Sequence, residues 1–231
     1  MERGRERVVD GRRRDLPPTF LGLAGGRADE GATPVGGHAD DLAELLTSVA
    51  DGPAAVYGCS IGALIGLELT ARHPELVHTL VAHEPPSPRP LPEPLRTRAN
   101  TDMLGAEQAY RDSGAWAGLS RFGEFAAVDV SDREDDAGLE DPRARMADLE
   151  FFLSAESEAV RAHELDPDTL AKTPARFVPV SGERSAGLWL RRCTTEPAAR
   201  LDVPWHEVPG AHNGDMFRPR AFAARLRDLL G

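Results

Sequence analysis

The chain has 231 residues, of which 41% are hydrophobic and 28% charged, so it is long enough to bury one core and too apolar to remain disordered. Its formal net charge of -11 disfavours nucleic acid and anionic membrane surfaces as partners, because both are negatively charged themselves. We therefore expect one domain that acts on a small molecule, with no nucleic-acid partner and no membrane partner.

The sequence shows neither an export signal nor a metal-binding pattern. Its N-terminus, MERGRER, is charged, and no apolar run is long enough to span a membrane. The two cysteines, Cys59 and Cys193, are too few for a disulfide framework, and no set of Cys and His residues has metal-ligand spacing. These features predict a reducing, cytoplasmic setting and a protein that uses no metal and no cofactor.

The first half of the chain alternates between helix and strand patterns. Residues 1–36 are rich in Arg and Gly and carry the weakest pattern. Beyond them the apolar spacing predicts a helix over 39–49 with Asp40 and Asp41 in its first turn, a strand over 54–57, a helix over 61–72 and a strand over 77–82. A strand–helix–strand unit of this kind is typical of a parallel sheet.

A proline-rich stretch then divides the chain. The six prolines between Pro85 and Pro94 exclude regular structure, because each ring removes a donor and fixes φ. The segment after it has mostly helical spacing and an acidic break over 129–141, which predicts an inserted helical lid. Later apolar runs predict a strand over 177–181, a helix over 188–200, a strand over 205–208 and an amphipathic C-terminal helix. The predicted division is a core of residues 1–84 and 166–231 and a lid of residues 85–165.

The segment Gly58-Cys59-Ser60-Ile61-Gly62 matches the G-x-S-x-G pattern and lies between a predicted strand and a predicted helix. A serine on such a sharp turn needs strained backbone angles, and a glycine two residues away on each side removes bulk that would collide. The helix that follows directs its first N–H groups and its positive end toward the serine. The pattern therefore predicts Ser60 as a nucleophile and the Ile61 N–H as an oxyanion donor.

A serine nucleophile needs a neighbouring base, and two histidines near the end of the chain are candidates. His206 falls inside a predicted strand, which commits its side chain to one face of the sheet. His212 lies in the loop between the last strand and the last helix, where an imidazole can reach over the edge of the sheet. We predict His212 as the base.

Two glutamates are candidates for the carboxylate that orients the base. Glu84 ends the strand that follows the nucleophile helix, and Glu183 ends the strand over 177–181. The segment after the second of these strands reads Gly-Glu-Arg-Ser and contains no Asp. The sequence favours Glu84 and keeps Glu183 as the alternative. A glutamate that does not orient the base would be an ordinary surface charge.

Two blocks of the sequence, the run from Gly52 to Pro86 and the tail PGAHNGDMFRPRAFAARL, resemble the α/β-hydrolase superfamily. The resemblance implies an α/β fold with a mostly parallel sheet, flanking helices and an inserted helical lid. It also implies a triad carried by Ser60, His212 and a glutamate. Glu84 matches the acid position of members such as the haloalkane dehalogenases, whose nucleophile is Asp, so Ser60 predicts a different chemistry.

The N-terminal part departs from this family's pattern. Members usually begin with two or three strands and a His-Gly-type loop that supplies a second oxyanion donor. No His-Gly pair precedes Gly37-His38, and residues 8–13 resemble a later strand and its loop, so we expect a shortened member. The loss of one donor is worth roughly 3–4 kcal/mol of transition-state stabilisation, which predicts weak activity.

The function predicted from these features is hydrolysis of a carboxylic ester, a thioester or a lactone through an acyl-enzyme on Ser60. Two alternatives are a non-hydrolytic ligand-binding or accessory protein and a cofactor-free perhydrolase or cyclase with the same triad. Five aromatic residues of the predicted lid either line an acyl pocket or simply pack: Trp116, Phe122, Phe125, Phe151 and Phe152. The sequence assigns no substrate-binding residue.

Overall fold

The fold is built on a sheet of parallel strands. The computed structural model describes residues 35–135, 137–138, 146–164 and 166–230, and the predictions made for the first 34 residues lie outside these ranges. Within them the sheet has four strands, in the spatial order β1-β2-β3-β4. The strands are β1 (Ala54–Cys59), β2 (Val77–His83), β3 (Arg176–Gly182) and β4 (His206–Val208). All four predicted strands are confirmed, with ends shifted by one or two residues.

The described helices flank the sheet and fill the segment between β2 and β3, which we call the helical insertion. They are α1 (Val35–Val49), α2 (Ile61–Arg72), α3 (Leu95–Ser113), α4 (Ala115–Phe125), α5 (Met146–Phe151), α6 (Ser157–Arg161), α7 (Trp189–Arg200), α8 (Gly214–Phe217) and α9 (Pro219–Leu230). A π-helical turn, Phe152–Glu156, joins α5 to α6. None of the helices in the described ranges combines the length and apolarity that crossing a bilayer requires.

The sheet is covered on both faces, which explains why most residues of its central strands, β2 and β3, are buried. Successive residues of β2 point to opposite faces: Leu80 belongs to the large cluster with α1, α2 and α7, and Val81 belongs to the smaller cluster with α9. Helix α2 lies very close to the sheet, because a Cβ on Gly66 would come within 2.7 Å of a Leu80 methyl group. The core therefore lies in two layers around β2 and β3.

The strand register brings the carboxyl ends of the strands together. Cys59 pairs with His83, His83 pairs with Val180, and Gly182 pairs with Val208. Because the strands are parallel, the residues that follow each of them emerge at the same edge of the sheet. This edge is where a site built from Ser60, the residue after His83 and the loop after β4 must form.

The first helix is longer than the sequence predicted. It begins at Val35 and not at residue 39, so Asp40 and Asp41 lie outside its first turn and their predicted effect on the helix dipole is wrong. Asp40 instead accepts two hydrogen bonds from Arg72, at 2.6 and 3.0 Å, and lies 2.8 Å from His73. These contacts fasten α1 to the end of α2.

The acidic stretch that breaks the helical insertion binds the last part of the chain. Asp132 lies 2.7 Å from Arg184 and 3.3 Å from Arg218. The Glu134 carboxylate accepts hydrogen bonds from two backbone N–H groups in the first turn of α9, at 3.0 and 3.1 Å. A carboxylate at this position satisfies free donors and complements the positive end of the helix. The insertion is thus attached next to the carboxyl edge of the sheet.

A second attachment of the insertion is a buried pair on the other side of the core. His38 of α1 lies 2.6 Å from Glu156 of the π-helical turn, and both side chains are almost fully buried. The hydrogen bond to Glu156 raises the pKa of His38 above its usual value, although burial opposes the rise. His163 makes a similar contact with Glu68 of α2, at 2.8 Å.

We expect the His38–Glu156 pair to stabilise the protein in a pH-dependent way. Because the folded pKa of His38 lies above the ordinary value of 6.5, its contribution is complete below that pH and is lost as the pH rises through the raised pKa. The difference in unfolding free energy between wild type and Glu156→Gln should therefore shrink as the pH rises, as measured by urea unfolding. Glu158→Gln, an exposed neighbour, should show no such trend. A difference that does not change with pH contradicts this reading.

Candidate active site

Ser60 forms a sharp turn between β1 and α2. Its backbone has φ 55 and ψ -124, a region that non-glycine residues rarely occupy. The turn is held from both sides, since the Ser60 N–H donates to the His83 carbonyl at 2.9 Å and the Ser60 carbonyl accepts from the Ala63 N–H at 2.9 Å. The side chain remains partly exposed at the carboxyl edge of the sheet. This is the geometry that the pattern around Ser60 predicted.

The two glycines of the pattern have different roles. A Cβ on Gly58 would lie 2.2 Å from the Gly62 carbonyl oxygen and 2.7 Å from the Ala63 nitrogen, so only glycine fits there. A Cβ on Gly62 would meet no atom within 4 Å. The prediction that a side chain would collide is confirmed for Gly58 and wrong for Gly62. The backbone of Gly62 is what a side chain at position 58 would strike.

This asymmetry predicts opposite results for two alanine substitutions. Gly58→Ala forces the start of α2 away from β1 and should cost about 3 kcal/mol of unfolding free energy or more, because backbone atoms cannot move aside cheaply. Gly62→Ala should be neutral or stabilise the protein by up to about 1 kcal/mol, since alanine favours helix over glycine. Urea unfolding of both variants tests the pair, and similar losses in the two would contradict it.

His212 lies in a tightly folded loop after β4 and is only 1% exposed. Three glycines permit the fold of this loop. A Cβ on Gly182 at the end of β3 would lie 2.6 Å from the Gly210 oxygen, Gly210 itself has φ +85, and a Cβ on Gly214 would lie 2.1 Å from the Pro209 oxygen. The loop therefore packs directly against the end of β3, which places the imidazole at the carboxyl edge of the sheet.

Glu84 follows β2 and is completely buried beside this imidazole. One carboxylate oxygen accepts from the His212 Nδ1 at 2.9 Å, and the other accepts from the Ser181 hydroxyl at 2.6 Å and from the Gly182 N–H at 2.9 Å. Burial alone raises the pKa of Glu84, but the hydrogen bonds and the neighbouring imidazoles outweigh it and hold the pKa at about 2. The carboxylate is therefore ionised at neutral pH, and it leaves Nε2 as the free nitrogen of His212.

The alternative candidates lie apart from this pair. The Glu183 side chain is 48% exposed, lies 3.8 Å from Arg218 and accepts from the Gly210 N–H at 3.5 Å. His206 pairs with Val180 in the sheet and lies at the amino-terminal end of β4. The structure thus joins His212 to Glu84 and leaves Glu183 and His206 outside the pair.

We expect Glu84→Gln to lower kcat by roughly 10,000-fold while Glu183→Gln stays near the wild-type value. An amide in place of the carboxylate presents an N–H to Nδ1, so Nε2 carries the proton and cannot accept another. Steady-state hydrolysis of an activated ester measures the effect. A larger loss in Glu183→Gln than in Glu84→Gln would overturn the assignment of Glu84.

No hydrogen bond joins the side chains of Ser60 and His212 in the described structure, but the residue before Ser60 contacts the histidine loop. The Cys59 thiol donates to the His212 carbonyl at 3.3 Å, which fixes the histidine loop beside the residue that precedes Ser60. The His83 carbonyl accepts from the Ser60 N–H, and the His83 ring lies 6.1 Å from the His212 ring. Nucleophile–base hydrogen bonds are often long without substrate and tighten when it binds.

The oxyanion side of the site rests on the start of α2. Ile61 is the first residue of that helix, so its N–H has no acceptor within the helix and lies at its positive end. The N-terminal region, where the sequence lacks a His-Gly-type loop, lies outside the described residues, which begin at position 35. Gly37-His38 is part of α1, and His38 is paired with Glu156, so this dipeptide forms no such loop.

One aromatic residue of the insertion, Phe122, lies beside the histidine. The Phe122 ring lies 6.1 Å from the His212 ring and 4.9 Å from Phe125, which in turn lies 5.6 Å from Trp189. Trp116 is 55% exposed. Phe151 and Phe152 are half-buried. Of the five aromatic residues predicted to line a pocket or to pack, Phe122 is the one with a ring contact to His212.

Sequence spacing missed one cluster behind the site. Potential ligand atoms of Cys59, His83 and Asp215 lie within 4.8 Å of one another. The Tyr57 hydroxyl donates to Asp215 at 3.2 Å and lies 3.4 Å from His83 Nδ1. Burial, followed by the charges of Asp215 and Glu84, raises the pKa of Cys59 well above its usual value, so the thiol is neutral in this surrounding. Tyr57 therefore links Asp215 to His83, while the Cys59 thiol bonds to the His212 carbonyl.

Two cavities of the structure lie away from Ser60. One of about 20 Å³ lies under the insertion and is lined mainly by apolar residues such as Leu64 and Phe177. The other, of about 390 Å³, includes Arg176 and His206 and therefore lies at the amino-terminal edge of the sheet. Neither cavity is lined by Ser60 or His212.

Comparison with known proteins agrees with this architecture. The family model described as alpha/beta hydrolase fold matches residues 22–138, about half of the chain. The uncharacterized hydrolase YraK of Bacillus subtilis is 29% identical over 202 residues, which cover 84% of this chain and 69% of that protein. The resemblance seen in the sequence is thereby confirmed.

Solved structures show the same fold. A structure from a study of carboxylesterases of the thaumarchaeon Nitrososphaera gargenis has a TM-score of 0.63 and 18% identity, and it covers 89% of this chain and 74% of that one. Naproxen esterase from Bacillus subtilis has a TM-score of 0.59 and 15% identity, with 89% and 68% covered. On the family match, the sheet order and the turn at Ser60, this chain is an α/β-hydrolase and belongs to the alpha/beta hydrolase fold family.

Proposed function

We propose that this chain is a serine hydrolase that cleaves a carboxylic ester, a thioester or a lactone through an acyl-enzyme on Ser60. The observation that carries the proposal is the buried 2.9 Å hydrogen bond between Glu84 and His212, at the same edge of the sheet as the strained Ser60 turn. A nucleophile, a base and a group that orients the base are the parts that this chemistry requires.

In the proposed first half-reaction, the Ser60 Oγ attacks the carbonyl carbon while the His212 Nε2 takes the hydroxyl proton. Glu84 stabilises the imidazolium that forms, and the Ile61 N–H donates to the oxygen of the tetrahedral intermediate. When the intermediate collapses, the bond to the alcohol or thiol breaks, and His212 returns the proton to that leaving group. The acyl group is then attached to Ser60.

In the second half-reaction, His212 removes a proton from water, whose oxygen attacks the acyl carbon. Collapse breaks the bond to the Ser60 Oγ, which recovers its proton from His212, and the carboxylic acid leaves. Water is the sole co-substrate of this cycle. The cycle needs no metal or cofactor, and it restores every protein group to its starting state.

Two features support an ester among the possible acyl substrates. The apolar Phe122 ring beside His212 suits an uncharged acyl or aryl group. The named structural relatives include a carboxylesterase and a naproxen esterase, and their activities are a reasonable first choice for assays. We therefore propose a small, neutral carboxylic ester as the first substrate to test.

The test is a parallel assay of the purified protein on a p-nitrophenyl ester, an acyl thioester and an acyl lactone, with the heat-denatured protein as blank. We expect saturable hydrolysis of at least one of them. Thermal shift with the same compounds runs alongside. Binding of a compound without its consumption would replace this proposal by a ligand-binding function, and turnover only with added hydrogen peroxide would replace it by perhydrolysis.

A further inference from the structure

The strand that carries the nucleophile also contacts the segment that carries the base. Tyr57 and Cys59 are two residues apart on β1, so their side chains leave the same face of the strand, immediately before Ser60. On that face the Tyr57 ring packs edge-on against Phe222 of α9, at 5.4 Å between ring centres. The two polar ends therefore lie beside the loop and helix that follow β4.

Each of these side chains makes one hydrogen bond to the stretch from His212 to Asp215, which we call the histidine segment. The Cys59 thiol donates to the carbonyl oxygen of His212 at 3.3 Å, and the Tyr57 hydroxyl donates to the Asp215 carboxylate at 3.2 Å. Asp215 lies three residues after His212, in α8. The two bonds therefore hold the two ends of the histidine segment, His212 and Asp215. The close approach of Gly214 to the Pro209 carbonyl makes this part of the loop compact.

Both donors keep their protons throughout the working pH range of a hydrolase. Burial, followed by the nearby Asp215 and Glu84 charges, raises the pKa of Cys59 well above its usual value. Burial, followed by Cys59 and Asp215, does the same to the pKa of Tyr57. A neutral thiol and a neutral phenol donate hydrogen bonds and add no charge next to the imidazole.

We propose that Tyr57 and Cys59 are positioning residues that set the height of the His212 imidazole over Ser60 by holding its segment on the nucleophile strand. Only the kinetic consequence of this inference rests on the proposed function. Glu84 fixes the rotation of the ring through Nδ1, whereas these two residues fix the backbone that carries the ring. A displacement of the base by a fraction of an ångström lowers the rate of proton transfer without changing substrate affinity.

The kinetic test uses Tyr57→Phe, Cys59→Ala and the double variant, with a p-nitrophenyl ester as probe. We expect kcat to fall about tenfold in each single variant with KM within about twofold of wild type. The loss in the double variant should be smaller than the product of the single losses, because both bonds hold one segment. Cys59→Ser, which keeps a donor, should recover most of the activity lost in Cys59→Ala.

Cys193→Ala is the matched control. Cys193 is buried and Cys59 is partly buried, but both thiols donate to a backbone carbonyl; the acceptor for Cys193 is Ser87, at 3.2 Å, and not a residue of the histidine segment. A general packing defect would lower the activity of both alanine variants to a similar degree. We expect kcat of Cys193→Ala to remain near wild type even if its Tm falls.

A second measurement decides the inference without any substrate. The proton on His212 Nδ1 should give a separate downfield signal in the proton NMR spectrum, assigned by its absence from His212→Gln. We expect this signal to shift or broaden in the Tyr57→Phe, Cys59→Ala double variant and to remain unchanged in Cys193→Ala. An unchanged signal with unchanged kcat overturns the positioning role. If the wild-type protein is inactive and the signal still shifts in the double variant, the proposed hydrolase function is overturned and the positioning role remains supported.

Discussion

Ser60→Ala is expected to lower kcat for ester hydrolysis by roughly a million-fold, to the level of background reaction, with little change in stability. Alanine lacks the oxygen that forms the acyl bond, and no other hydroxyl is placed on the strained turn at the edge of the sheet. The exposed Ser48 on α1 provides the matched control, since Ser48→Ala removes a hydroxyl that bonds only within its own helix. Residual saturable turnover in Ser60→Ala above about 1% of wild type would assign the nucleophile to another group.

His212→Gln is expected to lower kcat by a similar factor, roughly a million-fold, because Ser60 loses the group that accepts its proton. Glutamine is preferable to alanine here, since its amide N–H can replace Nδ1 as a partner for the buried Glu84 carboxylate. Removal of that partner would lower the unfolding free energy by about 3–5 kcal/mol. A loss of activity could then reflect unfolding and not the loss of the catalytic base. His206→Gln, the other histidine near the C-terminus, should retain wild-type kcat.

The Ser60→Ala, His212→Gln double variant gives a further check on the same point. Two residues that act as one unit show losses that do not multiply, so the double variant should be no slower than either single variant. A further loss in the double variant would show that the two side chains act independently. That result would separate His212 from the nucleophile.

The order and type of the elements around the site could be predicted from apolar spacing alone. Short apolar runs bounded by Gly or Pro correctly predicted all four described strands, since parallel strands with both faces covered have little polar sequence. The predicted start of α1, at residue 39, is later than the observed start at Val35. Gly36 and Gly37 argue against helix, but burial of Val35 and His38 against the core outweighs that local preference.

The candidate site shows the limit of sequence reasoning more clearly. The contrast between Glu84 and Glu183 could not be settled by position along the chain, because both follow strands that end at the same edge. It depends on side-chain direction: Glu84 has φ 46 and lies completely buried beside His212, whereas Glu183 lies at the surface beside Arg218. The spacing of glycines likewise predicted a steric role for Gly62 that the backbone geometry assigns to Gly58 alone.

Contacts between distant parts of the chain carried no sequence signal at all. Cys59 and Asp215 are separated by the whole helical insertion, and nothing in their local sequence indicates that they come together or that Tyr57 donates to Asp215. Ser181, which holds the second oxygen of Glu84, is an ordinary residue at the end of a strand until the register of β2 and β3 is known. Such groups become visible only when the fold brings them together.

The central claim is that Ser60 is a nucleophile activated by His212, and covalent labelling tests it most directly. The native protein would be treated with a fluorophosphonate, and the adduct would be measured by intact mass and located by peptide mapping. We predict one adduct per chain, on Ser60, formed rapidly in wild type, slowly in His212→Gln and not at all in Ser60→Ala. A folded wild-type protein that remains unlabelled while a control esterase reacts, or an adduct on another residue, would contradict the account.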